Sequence, residues 1–401
     1  MTETAWDGQI DQKVGYSCNM KSFLRGWTLY LKSWCVSVRN RLMPNAGKYR
    51  RSPSGVAEEN DLSPSKSYLH YADLVESRRN SVSRENNLML SQSGQREQLK
   101  KLIRFRKIEC AVVNMLPWQC QDEINRSRVS LSFGRNQDCP VDILARSDQD
   151  PESDLPLMIC MQGYNSGAHL SLGEIWEPFD VYKVEAGSSI AIQAARLGYR
   201  VISYERPCFG ERQEKQIRRP IPNPTVDAAF SWLMMGRTLI GETVAELNSL
   251  ISWAQSRFPN SKKKIFLSGY SAAGTTAIFT AAIDERITGI AVGGCVGMFR
   301  DTVMQRGTGG YVAVPDLLLH FELDTILSLI APRICVLVSG VNDHIYPYAG
   351  AEKCIRLARE HFAKLNASEA LVHLSASGGH TYYPNLLWSC LVETIRRREV
   401  G

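Results

Sequence analysis

The amino-acid sequence predicts an α/β fold, in which a doubly wound, mostly parallel sheet has antiparallel strands at its N-terminal edge and follows an N-terminal helical extension. After Pro156, short apolar runs alternate with helical stretches, an order typical of parallel strands with helices on both faces. Before Pro156, short polar links join the apolar runs, which favours antiparallel pairing. The composition also changes near residue 98, because residues 1–100 hold 15 Lys and Arg against 10 Asp and Glu, whereas the rest of the chain is nearly balanced.

Each strand and helix is predicted from a short pattern of apolar residues. Strands are predicted at residues 109–115, 128–133, 141–145, 157–161, 201–204, 265–268, 289–292, 334–339 and 370–374. Helices are predicted at residues 99–103, 186–197, 244–256, 271–282 and 349–364. Two connections, 206–235 and 296–330, are too long for plain turns, and we expect them to roof a pocket at the carboxyl ends of the strands.

The N-terminal extension, residues 1–97, is predicted to contain an amphipathic helix and a loosely ordered connector. At about 100° per residue, the aromatic and apolar residues of segment 20–43 fall on one side and its basic residues on another. Such a helix could lie on a membrane surface. Apolar stripes usually pack, however, so we favour packing on the main domain, residues 98–401, or on a second copy in a homo-oligomer. The connector, residues 44–93, is rich in Ser, Asn, Arg and Glu, with a helix predicted near 68–79.

Composition and charge argue against several classes of protein. The chain has 401 residues, of which 44% are hydrophobic and 22% charged, as is ordinary for a globular enzyme. It has no apolar run of about 18 residues and no secretory signal at its polar N-terminus, so we expect a cytoplasmic protein. The 11 cysteines include no C-x-x-C pair, so neither disulfides nor a metal site is expected, and no cofactor. Nucleic-acid binding is not expected, because no basic stripe is interleaved with aromatic residues.

The segment LSGYSAAGTT, residues 267–276, contains the candidate nucleophile, Ser271. An apolar strand precedes this serine and small helix-forming residues follow it, which predicts a sharp turn from strand to helix. A serine at such a turn stands at the top of a parallel sheet, with the helix N-terminus directed at the atom that it attacks. Gly269 and Ala273 occupy the two glycine positions of the pattern G-x-S-x-G. The alternative is that Ser271 only caps the helix, and the motif alone leaves both interpretations open.

Two further residues complete a candidate catalytic triad. A serine nucleophile needs a base, and the base needs an acid that fixes its tautomer; in this kind of sheet the chain order is Ser, Asp, His. Among seven histidines, His380 follows the last strand in a glycine loop and is the predicted base. Asp343 follows the preceding strand and is the predicted acid, whereas its rivals Asp316 and Asp324 lie upstream of Pro332.

Acyl transfer also needs donors for the oxyanion, and a pocket for the substrate. We expect one donor to be the N–H of Ala272, directly after the nucleophile, and the other to be the N–H of Tyr164, where Gly163 lets the backbone turn. Further side chains are expected to line the pocket. These candidates are Gln162, Tyr270, Trp232, Met298 and His344.

Five motifs occur in the order expected of a known enzyme family. They are Gln162-Gly163-Tyr164-Asn165, Cys208-Phe209-Gly210-Glu211-Arg212, Gly236-Arg237-Thr238-Leu239-Ile240-Gly241, Gly269-Tyr270-Ser271 and Ala331-Pro332-Arg333. On these motifs, residues 98–400 resemble the acetyl xylan esterase and cephalosporin C deacetylase branch of the α/β-hydrolases, a dienelactone-hydrolase-like group. The resemblance implies the α/β-hydrolase fold and a serine carboxylesterase active on small acyl esters, with Tyr164 and Ala272 in the oxyanion hole.

The sequence departs from this family pattern at two positions. Gln162 stands where the family usually has histidine, and Ala273 replaces the second glycine of the nucleophile turn. Neither change removes a reacting group, but both would reshape the rim of the pocket. Other functions stay open beside the esterase: an acyltransferase, a lyase or a C–C hydrolase that uses the same three residues, or a non-catalytic binding module with this fold.

Overall fold

A computed structural model of the chain describes residues 64–85, 91–134, 138–215, 225–259, 264–306 and 309–400. The amphipathic helix predicted at residues 20–43 lies outside the described residues. Within the described ranges, no helix is both long enough and apolar enough to cross a bilayer.

Ten strands of the described residues form one sheet. They are β1 (Ala111–Met115), β2 (Gln119–Gln121), β3 (Ile124–Ser132), β4 (Asp138–Arg146), β5 (Leu157–Met161), β6 (Arg200–Tyr204), β7 (Ile265–Tyr270), β8 (Gly289–Gly293), β9 (Ile334–Gly340) and β10 (Leu371–Ala376). Every strand that the sequence predicts is present, with ends that differ by a few residues. Among these ten strands, β2 was not predicted. Its three exposed residues, Gln-Cys-Gln, give no run of apolar residues.

The sheet has the predicted mixed topology. Its strand order is β1-β3-β4-β6-β5-β7-β8-β9-β10, and β2 pairs with β3. The pairs from β6 through β10 are parallel, whereas β1 to β4 pair antiparallel and β4 joins β6 antiparallel. All residues of β5 to β9 are buried, which explains why these strands read as continuous apolar runs.

Helices cover both faces of the sheet. Those of the described residues are α1 (Pro64–Glu85), α2 (Gln92–Leu102), α3 (Asp180–Glu185), α4 (Ile190–Arg196), α5 (Val226–Met234), α6 (Leu239–Arg257), α7 (Ala272–Ile283), α8 (Val303–Arg306), α9 (Leu317–His320), α10 (Leu323–Ser328), α11 (Tyr348–Lys364) and α12 (Pro384–Val400). Leu157 and Ile159 of β5 pack in a core with α6, α7 and α11, while Met158 and Cys160 pack in a second core with α4 and α12. The alternation along one strand thus fills two separate cores, as in a doubly wound sheet.

The helix predicted at residues 186–197 is shorter than expected, and α3 before it was not predicted. The break lies at Gly187, whose φ is +94°, a conformation that glycine adopts more readily than other residues. A Cβ at this position would lie 2.7 Å from Cγ of Pro384, so α12 packs directly against the break. The turn separates α3 from the core helix α4, and α3 contributes a side chain to the site described below.

The helices α1 and α2 pack on the sheet domain through polar contacts. Arg300 pairs with Asp73 of α1, and Lys353 Nζ lies 3.0 Å from Glu76 Oε1 on the same helix. In α2 the buried Arg96 donates from Nε to the carbonyl oxygen of Ala282 at 2.8 Å. The helices α1 and α2 are therefore held against the main domain.

Candidate active site

Ser271 stands at a sharp turn between β7 and α7. Its φ of +57° and ψ of −129° are rare for a residue with a side chain, and such strain concentrates at functional sites. Strand and helix meet so closely that a Cβ on Gly269 would lie 2.9 Å from Cβ of Ala273. Although Ser271 occupies the N-cap position, its side chain makes no capping hydrogen bond. The helix-cap interpretation therefore does not account for its hydroxyl.

The structure brings Ser271, His380 and Asp343 into one hydrogen-bonded chain. His380 Nε2 lies 3.1 Å from Ser271 Oγ, and His380 Nδ1 lies 2.8 Å from Asp343 Oδ2. A carboxylate can only accept, so Nδ1–H donates to Asp343 and Nε2 is left to accept from the serine hydroxyl. The three residues follow β7, β9 and β10, whose carboxyl ends meet at one edge of the sheet.

Asp343 is a buried carboxylate with its hydrogen bonds satisfied. Its Oδ1 accepts from the N–H groups of Ile345 and Tyr346 at 2.8 and 2.9 Å, while Oδ2 accepts from His380. Burial raises the pKa of Asp343, but the hydrogen bonds and the charge of His380 outweigh it and hold the pKa below its ordinary value. The acid is thus ionised at neutral pH and fixes the orientation of the imidazole.

The loops that carry Asp343 and His380 pack closely against each other. A Cβ on Gly340 would lie 2.4 Å from the carbonyl oxygen of Gly379, so only glycine fits there. Asn342 donates from its backbone N–H to Gly378 at 3.0 Å and from Nδ2 to Ser377 at 3.0 Å. The distance between Asp343 and His380 is thereby set by the close backbone approach at Gly340 and by the hydrogen bonds of Asn342.

Aromatic side chains fix the His380 ring on several sides. Tyr346 is nearly parallel to the ring, with centroids 5.9 Å apart, and Tyr270 lies 5.4 Å away. The Tyr346 hydroxyl is in turn 3.0 Å from that of Tyr311, which donates to Thr275 Oγ1 at 3.2 Å. The His380 side chain keeps 14% of its surface exposed, against 1% for Asp343, so a small molecule can reach His380 but not Asp343.

The two predicted oxyanion donors lie beside Ser271. Ala272 begins α7, and the first N–H groups of a helix have no partner within the helix. The backbone before Tyr164 passes against the nucleophile turn, since a Cβ on Gly163 would lie 2.7 Å from the Tyr270 carbonyl oxygen and 3.1 Å from Ser271 Cβ. Tyr164 and Ala272 both line the cavity that contains Ser271.

We expect Gly163→Ala to lower kcat for a small ester by about 10²- to 10³-fold, because the added methyl group must push the Tyr164 N–H away from the oxyanion. Steady-state kinetics with a nitrophenyl ester measure this effect. Gly350→Ala is the matched control, because a Cβ there meets its neighbours only at 3.7 Å or more. Equal activity of the two variants would contradict a role for this loop.

The cavity around Ser271 has a volume of about 270 Å³. Its lining residues are Tyr164, Asn165, Lys183, Tyr270, Ser271, Ala272, Tyr311, Ile345, Tyr346, His380, Thr381 and Tyr382. Five of them, Tyr164, Tyr270, Ser271, Ala272 and His380, are among the residues predicted from the sequence. Tyr311 also lines the cavity and belongs to the roof connection 296–330, whose apolar residues the sequence suggested as pocket lining.

Gln162 does not line this cavity, contrary to the sequence prediction. The residue is only 3% exposed, and its Nε2 donates to Ser171 Oγ and to the Ser188 carbonyl, both at 2.8 Å. Its Oε1 accepts from the Tyr382 hydroxyl at 2.5 Å and from Asn165 Nδ2 at 3.2 Å. The side chain points into the molecule and positions two residues that do line the cavity.

Three other predicted pocket residues also lie outside the cavity. Met298 is 3% exposed and belongs to the main core cluster, and Trp232 packs against that cluster with the Arg237 guanidinium 5.9 Å from its ring. His344 is exposed, and its ring centroid is 6.3 Å from that of His380. The first two pack inward and the third turns to solvent.

Comparison with known proteins gives relatives at low identity. No family model matches the chain. A Bacillus subtilis (strain 168) protein provisionally named hydrolase YtaP is 25% identical over 233 residues, which are 57% of this chain and 74% of that protein.

Several solved structures are similar. One from Bacteroides fragilis, provisionally described as an acetyl xylan esterase, has a TM-score of 0.58 at 16% identity and covers 71% of this chain and 74% of its own. A promiscuous esterase from a marine bacterial metagenome has a TM-score of 0.56 at 14% identity, and the match covers 75% of this chain and 90% of that esterase. A glucuronoyl esterase from Solibacter usitatus has a TM-score of 0.53 at 13% identity, and the match covers 75% of this chain and 91% of that esterase. At these identities the likeness is one of fold.

Proposed function

We propose that this chain, which has the α/β-hydrolase fold that its sequence predicted, is a serine hydrolase that cleaves small carboxylic acyl esters through an acyl-enzyme. The observation that supports the proposal most strongly is the position of His380, with Nε2 3.1 Å from Ser271 Oγ and Nδ1 2.8 Å from Asp343 Oδ2. This is the arrangement of nucleophile, base and orienting acid that acyl transfer requires.

In the acylation step, Ser271 Oγ attacks the carbonyl carbon of the ester while its proton moves to His380 Nε2. Asp343 stabilises the imidazolium through the Nδ1–H bond and stays ionised. The carbonyl oxygen becomes an oxyanion that accepts from the N–H groups of Ala272 and Tyr164. The intermediate then expels the alcohol oxygen, which takes the proton from His380, and the acyl group remains on Ser271.

Deacylation repeats the same chemistry with water as the nucleophile. His380 Nε2 takes a proton from water while the water oxygen attacks the acyl carbonyl carbon. The tetrahedral intermediate then breaks its bond to Ser271 Oγ, which takes the proton back from His380. The free acid leaves the site.

The size and lining of the cavity support a small substrate. A volume of about 270 Å³ lies near the lower end of the range for small-molecule sites. The esterase names of the structural neighbours and the hydrolase name of the curated relative agree with ester cleavage.

Labelling with a fluorescent fluorophosphonate tests the proposal, because this reagent reacts with a serine that an adjacent base activates. We expect wild type to be labelled and Ser271→Ala not to be labelled. Ser377→Ala is the control, since Ser377 is exposed in the His380 loop and lies outside the cavity. Unlabelled but folded wild type, or labelling that survives in Ser271→Ala, would contradict an activated Ser271.

A further inference from the structure

The cavity around Ser271 contains a lysine that the proposed chemistry does not use. Lys183 of α3 lines the same cavity as Ser271 and His380. The other lining side chains are tyrosines, small residues, an asparagine, a threonine and an isoleucine, and no aspartate or glutamate is among them. The proposed catalytic steps need no primary amine, so the ammonium group requires a different explanation.

Lys183 has no negative partner in the described part of the chain. No carboxylate oxygen of those residues lies within the 4.0 Å that defines an ion pair, and the ammonium makes no hydrogen bond with them. Burial lowers the pKa of Lys183, and no neighbouring carboxylate raises it. Leaving a half-buried cation unpaired is unfavourable, which favours a partner supplied by a ligand.

The position of Lys183 is fixed by a network at the start of its helix. Asp180 accepts from His169 Nε2 at 2.8 Å and from the N–H groups of Trp176 and Glu177, both at 3.0 Å. Ser166 donates to the same carboxylate, and the His169 ring stacks on that of Trp176 with centroids 4.0 Å apart. Because Ser166 follows the loop that contains Tyr164, α3 is held in place relative to the oxyanion donors.

A second unpaired cation lies behind the cavity wall. Arg206 is 4% exposed and donates from Nη1 to the Gln162 carbonyl at 3.1 Å. Its guanidinium lies 4.8 Å from the Phe209 ring centroid and 5.9 Å from that of Tyr311, which lines the cavity. Within the described residues no carboxylate pairs with Arg206 either, so its guanidinium adds a second positive charge near the cavity.

We propose that Lys183 binds a carboxylate of the substrate, so that the site prefers esters with a negative charge on the acyl or the alcohol part. This inference rests on the proposed ester hydrolase function. The ammonium forms a charge-assisted hydrogen bond to the carboxylate, while Arg206 adds attraction at longer range. Lys183 is thus a specificity-determining residue for the reaction at Ser271.

Matched pairs of esters test the inference and show which part carries the charge. The acyl pair is the 4-nitrophenyl monoester of glutarate and the corresponding neutral glutaramate, and the alcohol pair is 4-acetoxybenzoate and 4-acetoxybenzamide. We expect wild type to prefer the anionic member of one pair. In Lys183→Met the ratio of kcat/KM for that member to its neutral partner should fall by about 10- to 100-fold, and Lys183→Arg should retain most of the ratio.

Lys364→Met is the charge-matched control, because Lys364 is exposed at the far end of α11 and does not line the cavity. A ratio that falls equally in Lys364→Met would mean a general charge effect and would overturn the inference. An unchanged ratio in Lys183→Met would also overturn the inference. Failure of the proposed function is recognised separately, since turnover of all four esters would then persist in Ser271→Ala.

Discussion

Ser271→Ala and His380→Ala are each expected to lower kcat/KM for small acyl esters by about 10⁴- to 10⁶-fold. Without Oγ no acyl-enzyme forms, and without the imidazole the hydroxyl keeps its proton. The activity that remains comes from the oxyanion donors and from substrate binding. Initial rates with 4-nitrophenyl acetate give both values, if the enzyme concentration is high enough to detect the remaining activity.

The double variant separates a joint mechanism from two independent contributions. Because the base acts only through the nucleophile, Ser271→Ala/His380→Ala should be no slower than Ser271→Ala by more than a few-fold. His344→Ala is the control for removal of a neighbouring histidine, since the His344 ring is 6.3 Å from His380 and exposed. Multiplicative losses in the double variant would contradict the proposed roles.

Asp343→Asn should lower kcat by about 10³- to 10⁴-fold while the protein stays folded. The amide oxygen can still accept from Ile345 and Tyr346, but the amide NH₂ would donate to His380 Nδ1. The imidazole then carries its proton on Nε2 and cannot accept from Ser271, so the base is present in the wrong tautomer.

A comparison of aspartates checks this assignment. Asp316, the rival acid by sequence, is exposed with φ of +62°, a conformation that asparagine tolerates. We expect Asp316→Asn to keep wild-type kinetics, with similar thermal unfolding midpoints for both variants. A severe loss in Asp316→Asn, or near-normal activity in folded Asp343→Asn, would refute the choice of Asp343.

The central sheet could be predicted because burial on both faces leaves little choice of residue. Strand β5 matches its prediction at both ends, and all of its residues are buried. Strand β2 and helix α3 could not be predicted, since β2 is fully exposed and α3 has only six residues, which is too short for a clear helical period.

The three proposed reacting residues could be placed together from the sequence, because each follows a strand within a few residues and the carboxyl ends of these strands meet at one edge of the sheet. The pocket wall could be predicted only in part, because its members come from separate loops and their side-chain directions depend on packing. Gln162 is adjacent to Gly163 in the chain, yet its side chain points inward to Ser171 and Ser188. Lys183 gave no signal in the sequence, since only the fold shows that it shares a cavity with Ser271.

Peptide mapping of a trapped acyl group tests the central claim most directly. Wild type is mixed with 4-nitrophenyl acetate, whose good leaving group makes deacylation the slower step, and the reaction is quenched in acid during turnover. We predict an acetyl group on the peptide with Ser271, which disappears once the ester is exhausted and never forms in Ser271→Ala. Continued turnover with Ser271 unmodified, or an acetyl group that cycles on another residue, would contradict the account.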